Sequence, residues 1–215
     1  MRKIILASES SRRRDILETL IGKNFEVRPA KYEEDNSLYK SPFRLVVHHS
    51  MEKAKEVAQG LEEEIVIACD TVVAIDMTHE EMVEENKHYK ILGKARTEDE
   101  AKVMLNKISS RLIKVVSGLA VIDTMFGTDE EGKFIKINLE YEETYVKVKH
   151  LKEKEIDDYI KTGEPIGKAG AFAIQGKGGH FIERIDSCFY NVVGLPVHRL
   201  YKVLKGLGIY IFDYE

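Results

Sequence analysis

Four short stretches carry residue types that could do chemistry. The first is Ser8-Glu9-Ser10-Ser11-Arg12-Arg13, directly after the apolar run 4–7. A buried strand that opens into a serine-rich loop and a helix start presents backbone N–H groups and hydroxyls to an anion. Arg12 and Arg13 add forked guanidinium donors that match phosphate oxygens. An N-capped helix with surface arginines would also account for these residues. The second stretch is Asp70-Thr71, inside the apolar run 65–75. A carboxylate among such neighbours is costly unless it is paired or binds a metal. A capping aspartate at a strand end or bulge is the plainer reading. The third is Gly93-Lys94, a glycine turn that exposes a lysine, or an ordinary loop lysine. The fourth is the glycine-rich stretch 163–178, with Lys168 and Gln175. Its small residues let a ligand approach the backbone, and Gln175 offers a donor and an acceptor. A glycine-rich turn before a strand fits equally. Glu33 and Glu34, in an irregular stretch, are candidate metal carboxylates or plain solvated charges.

The elements that must position these residues follow from periodicity. The run 4–7 reads as a strand buried on both faces. Residues 12–20 read as a helix capped by the preceding serines and ended by Gly22. A short strand is predicted over 25–28. Ser41-Pro42 reads as an N-cap with proline at the first helical position, and the helix behind it runs to Gln59. Residues 65–75 are the strongest strand signal in the chain. Residues 77–87 are acidic and weakly patterned, which predicts an insertion or loop. Thr97 and Glu100 predict a capping box for a helix through Ile108. Strands are predicted over 111–124 and 134–149, the second as one strand or a pair, with a turn at 127–132 between them. Helices are predicted over 153–161 and 196–205. Early alternation of strand and helix followed by strand-rich sequence favours α/β with a mixed sheet.

The chain has 215 residues, 43% hydrophobic and 33% charged, with a net charge of −4. That is enough to bury about 70% of the unfolded surface without a disulfide or zinc staple, and it predicts one domain over residues 1–215. The charge balance argues against a polyanion binder, so no nucleic acid polymer is expected as partner. Charge is segregated. Residues 1–55 hold twelve Lys/Arg against eight Asp/Glu, and residues 56–100 hold four against thirteen. Cys69 and Cys188 form neither a disulfide framework nor a zinc quartet. No apolar stretch approaches the ~18–20 residues that span a bilayer. The N-terminal apolar run is too short for a signal peptide, so a cytoplasmic protein with no membrane partner is expected. Residues 127–133 match the glycines and lysine of a P-loop, but Phe134 stands where Ser or Thr must hold Mg²⁺. The spacing of Gly176, Gly178 and Gly179 is wrong for a dinucleotide fingerprint. His48 and His49 are adjacent on one helix and cannot share a face as metal ligands.

Taken together, 5–13, Ala68-Cys69-Asp70-Thr71-Val72-Val73, Ile91-Leu92-Gly93-Lys94, Glu164-Pro165, 168–176 and 191–196 resemble the Maf family of nucleoside triphosphate pyrophosphatases. The segments appear in the family's order and span almost the whole chain. The resemblance implies a Maf/ITPase-like α/β fold: a long curved mixed β-sheet flanked by helices, with two lobes around a deep cleft, often in a homodimer. It implies cleavage of a nucleoside triphosphate to monophosphate and pyrophosphate with a divalent cation, Mg²⁺ or Mn²⁺. The Gln175 segment is similar to the branch acting on dTTP, UTP and modified pyrimidine nucleotides. On this resemblance Asp70 is the general base, and Glu33 with Asp70 holds the metal. Ser8, Arg12, Arg13, Lys53, Lys94 and Lys168 surround the triphosphate, while Arg12, Thr71 and Gln175 stand at specificity positions. Ser11 and Ala95 replace the family's usual prolines, and residues 76–89 and 124–136 look longer than typical. The alternatives are a pyrophosphatase for 7-methyl-GTP or deaminated purine triphosphates, and a non-catalytic nucleotide-binding regulator of cell division.

Overall fold

A computed structural model describes residues 2–130, 132–134 and 136–214. In chain order the strands are β1 (Ile4–Leu6), β2 (Phe25–Val27), β3 (Ile65–Asp76), β4 (Tyr89–Leu92), β5 (Leu112–Asp123), β6 (Ile137–Val148) and β7 (Ile182–Asp186). The helices are α1 (Ser11–Ile21), α2 (Pro42–Ala58), α3 (His79–Glu85), α4 (Glu98–Ile108), α5 (Glu153–Ile160), α6 (Phe189–Val193) and α7 (Val197–Gly206). The strands form one mixed sheet in the order β2-β1-β3-β5-β6-β7, with β4 added to β3. Among the described residues, no helix is long and apolar enough to cross a membrane.

The sheet has one feature that matters for function. β1 pairs parallel to β3 only at Ile65, Val66 and Ile67. β4 pairs antiparallel to the same edge only from Val73 to Asp76. The two short strands point their carboxyl ends at each other and leave β3 uncovered by strand between them. Asp70 and Thr71 lie in the middle of that gap. On the opposite edge β3 pairs continuously with β5, where Asp70 faces Gly118 and Thr71 faces Ser117.

Core packing changes character at the same position. Ile65, Ile67 and Cys69 point into a core shared with α1 and α7. Val73 and Ile75, on the same face, point into a second core built with α4 and α5. Thr71 falls between the two. On the other face α2 covers Val66 and Ala68 with Ala54, Val57 and Ala58, and Val72 with Leu45 and Val46. Asp70 again falls between. The buried stripe of α2 repeats at helical spacing and takes His49, Ser50 and Lys53 inward beside its apolar members. The helix lies very close to the sheet: a Cβ on Gly118 would stand 2.2 Å from the Val46 carbonyl oxygen. Glycine is therefore required opposite Asp70.

Several sequence expectations change. Residues 77–87 are not a loop. Thr78 and Glu81 form a reciprocal capping box that starts α3, and β4 follows. The capping box expected at Thr97 is half formed, because Thr97 accepts from the Glu100 N–H while the Glu100 carboxylate accepts from the Arg96 N–H instead. Residues 134–149 contribute the single strand β6. β7, α6 and the 3₁₀ turn Ile211–Tyr214 carry no periodicity strong enough to announce them. The turn near 127–132 is present as a Thr128–Phe134 bridge, with Glu131 outside the described residues.

Candidate active site

A cavity of about 1320 Å³ opens at the gap in the edge of β3. Two of its walls come from strands that end there. β1 runs out into Ser8, and Ser10 caps α1 by accepting from the Arg13 N–H. β4 runs out into Gly93 and Lys94. α2 contributes Lys53, β3 contributes Thr71 and Val73, and the turn after α6 contributes Gly194. Gly167, Lys168, Ala169 and Phe172 close the far side. This strap is stitched to the end of β4: the Gly167 N–H donates to the Ala95 carbonyl (2.8 Å), and the Gly170 N–H donates to that of Gly93 (3.0 Å).

Arg13 is 8% exposed. Its guanidinium donates to the Gly194 carbonyl (2.7 Å), Ser8 Oγ (3.2 Å) and Thr71 Oγ1 (3.0 Å). Thr71 Oγ1 in turn shares a hydrogen bond with Ser117 Oγ at 2.8 Å. All of these partners are neutral. Among the described residues, Arg12, Arg13 and Lys168 each line the cavity without an ion pair to any carboxylate. Burial and the neighbouring Arg13 push the Arg12 pKa down. Burial and Arg12 do the same to Lys168. Burial and mutual repulsion both disfavour the charged forms of Arg12 and Lys168, and a phosphorylated anion between them would relieve that cost.

A second cluster is neutralised from within. Lys53 donates to Asp70 Oδ1 at 2.9 Å and also to Glu34 Oε1. Lys94 reaches both Glu34 oxygens, at 2.9 and 3.0 Å. Burial pushes the Glu34 carboxyl up, but the charges and hydrogen bonds of Lys53 and Lys94 outweigh it and hold the pKa at about 2. Asp70 is 2% exposed, and its Oδ2 has no hydrogen-bond partner. It stands just behind the cavity wall, between the lining residue Thr71 and Lys53.

Among the described residues, no group of three or more His, Cys, Asp or Glu is placed to hold a metal ion. The carboxylate donors nearest the Lys53–Lys94 cluster are Asp70, with its unpartnered Oδ2, and the Glu33–Glu34 pair on the cavity wall. That set fits a cation such as Mg²⁺, which takes one or two carboxylates and completes its shell with substrate phosphates and water.

The structure thus gathers Ser8, Arg12, Arg13, Lys53, Thr71, Lys94 and Lys168 in one cavity wall, with Asp70 against it. Two other expected residues sit differently. Glu33 lines the cavity but is exposed, and its neighbour Glu34 is the acid that meets the lysines. Gln175 lies on an exposed turn and is not among the lining residues; the Ala173 N–H is held by Tyr159 Oη at 3.1 Å and the chain has turned away before it reaches Gln175. Lining residues outside the stretches singled out in the sequence include Tyr32, Asn36, Arg96 and Met104. His49, buried in the α2 stripe, shares a 2.9 Å hydrogen bond with Tyr32 through Nδ1.

A mixed sheet whose interrupted edge collects unpaired cations defines an α/β protein built to hold a small phosphorylated ligand. Residues 3–207 match the Maf-like protein family, and the chain belongs to that family. It is 43% identical over 213 residues to a dTTP/UTP pyrophosphatase of Methanococcoides burtonii, covering 99% of each chain. It is 42% identical over 212 residues to a dTTP/UTP pyrophosphatase of Caldicellulosiruptor bescii, covering 97% of this chain and 96% of the relative. Among solved structures, a HAM1 protein from Coxiella burnetii aligns over 96% of this chain and 100% of its own, with a TM-score of 0.49 and 15% identity.

Proposed function

We propose that this protein hydrolyses nucleoside triphosphates, dTTP and UTP foremost, to the monophosphate and pyrophosphate. The observation that carries the reading is the trio Arg12, Arg13 and Lys168, buried or half-buried around one cavity and, among the described residues, in no ion pair with a carboxylate. The names of relatives more than 40% identical over almost the full length supply the substrate class.

Cleavage of a phosphoanhydride is mainly positioning and charge neutralisation. Arg12, Arg13 and Lys168 bind the phosphate chain, and Ser8 Oγ with the amides of the 8–11 loop adds donors. Lys94 and Lys53 exchange Glu34 for phosphate oxygens when substrate enters. Water attacks the α-phosphorus, the bond to the α–β bridging oxygen breaks, and pyrophosphate leaves. The water's proton passes to Asp70, whose buried Oδ2 has no hydrogen-bond partner. Lys53 holds the other oxygen and keeps the carboxylate oriented. A divalent cation, held by Asp70 and a carboxylate of the 33–34 pair together with the phosphates, would supply further neutralisation of the developing charge. The apolar patch of Val73, Met104, Val115 and Phe172 gives the nucleoside a surface within the same cavity.

The test is a panel of common, methylated and deaminated nucleoside triphosphates, incubated with Mg²⁺, Mn²⁺ or EDTA and resolved by ion-exchange chromatography. Monophosphate plus pyrophosphate, metal-dependent and fastest with dTTP or UTP, is expected. A purine as best substrate refutes the pyrimidine assignment, and diphosphate plus orthophosphate refutes the bond. Asp70→Asn is nearly isosteric and should lower turnover by about 10²-fold or more. Near-native turnover in the folded variant would remove Asp70 as base.

A further inference from the structure

Among the described residues Glu164 and Tyr159 make no hydrogen bond or ion pair to a lining cation, although the Glu164 charge reaches Arg12 and Lys168, and they organise the neck of the strap that carries Lys168. Glu164 Oε1 accepts from the Tyr159 hydroxyl (2.8 Å) and the Gly178 N–H (2.9 Å). Its Oε2 accepts from the Lys177 N–H (3.0 Å). The Tyr159 oxygen accepts in turn from the Ala173 N–H (3.1 Å). One carboxylate and one phenol thus join residue 164, where the strap begins, to residues 173, 177 and 178, where it returns. The surrounding sequence is shaped to admit them. A Cβ on Gly176 would stand 2.4 Å from Glu164 Oε2, and one on Gly178 would stand 2.6 Å from the Tyr159 oxygen. The phenol ring is 3% exposed and packs edge-on against Phe181, with ring centroids 4.9 Å apart. Burial and Glu164 raise the Tyr159 pKa, so the phenol stays a donor at any working pH.

We propose that Glu164 and Tyr159 form a clamp that fixes where the 165–173 strap holds Lys168 and Phe172 against the cavity, and that they are positioning residues for nucleotide binding. The opposite side of the strap is pinned to Gly93 and Ala95 by backbone hydrogen bonds. The clamp supplies the second anchor. Without it the strap pivots on the β4 end, and Lys168 loses its fixed place opposite Arg12. Asp70 and Lys53 belong to β3 and α2, which the clamp does not touch. The consequence therefore falls on binding and not on the chemical step.

The inference rests on the proposed pyrophosphatase reading for its kinetic arm, and on binding alone for its other arm. Tyr159→Phe keeps the ring packing and removes only the hydroxyl; Glu164→Gln keeps the shape and removes the charge. Each should raise KM for the preferred triphosphate roughly tenfold with kcat within about threefold of the parent. Each should weaken pyrophosphate binding, read by calorimetry, by a similar factor. The decisive comparison places Tyr159→Phe in a Lys168→Ala background. A clamp acting through Lys168 adds less than about threefold there, whereas general loosening of the fold multiplies in full. Full multiplication, an unchanged KM, or a fall in kcat at constant KM overturns the clamp. If the parent hydrolyses no triphosphate, the proposed function fails by itself, and the calorimetric comparison still decides the clamp.

Discussion

Glu34→Gln isolates the anion that two of the cavity's lysines share. The change keeps the side chain's shape and removes its charge. In the folded protein Glu34 ionises at about 2, against an ordinary 4.5. That difference corresponds to roughly 3 kcal/mol of stabilisation at neutral pH. The side chain is 21% exposed, so water and salt trim the figure, and a loss of about 1–3 kcal/mol is expected at pH 7. The sign with pH follows from a depressed carboxylate. Its contribution is complete above the unfolded value and is lost as pH falls from about 4.5 through about 2. The stability gap between parent and variant should therefore be constant from pH 8 to about 5.5 and narrow by roughly 1 kcal/mol by pH 3.5. Urea denaturation at pH 7 and 3.5, in low salt, measures both values. An identical gap at both pH values, or none at pH 7, would refute the pairing of Glu34 with Lys53 and Lys94 as an energetic fact.

Two further changes read the frame that holds the site. Gly118→Ala sets a Cβ against the Val46 carbonyl and should cost roughly 3 kcal/mol, with a loss of turnover because α2 carries Lys53; an unchanged urea midpoint would disprove the close approach. Arg13→Lys keeps the charge but cannot reproduce three hydrogen bonds to Gly194, Ser8 and Thr71 at once. KM should rise by roughly tenfold or more, and a native KM would show that the fork geometry is dispensable.

How far the sequence announces this site depends on whether a residue sits in a periodic element. Asp70 stands out because β3 is otherwise apolar, and Lys53 falls on the buried stripe of an unambiguous helix. Glu33 and Glu34 lie in an irregular stretch where nothing in the spacing says which of two neighbours turns inward. The distinction is made in space, by lysines that come from α2 and from the end of β4. Gln175, which lies outside the cavity lining, is placed for a related reason. Its neighbours are glycines, and the path of a glycine-rich chain is set by Glu164 and Tyr159, which no local pattern connects to it. The strand β4 is only four residues long and follows an acidic, weakly patterned stretch, so its pairing with the far half of β3 has no local signature.

That vacancy explains why the site is composite. A strand twelve residues long is covered on one edge by β1 for three of them and by β4 for four. The uncovered middle must find hydrogen-bond partners and polar neighbours, or the backbone there is exposed at a cost. Polar side chains at adjacent positions serve opposite faces of the sheet, since successive side chains alternate. Asp70 thus meets α2 while Thr71 meets Arg13, from one dipeptide. A buried acid and a group of cations are brought to the same point without sharing a face. The strand separates Asp70 from the Arg13 guanidinium, so the cation that holds the acid is Lys53.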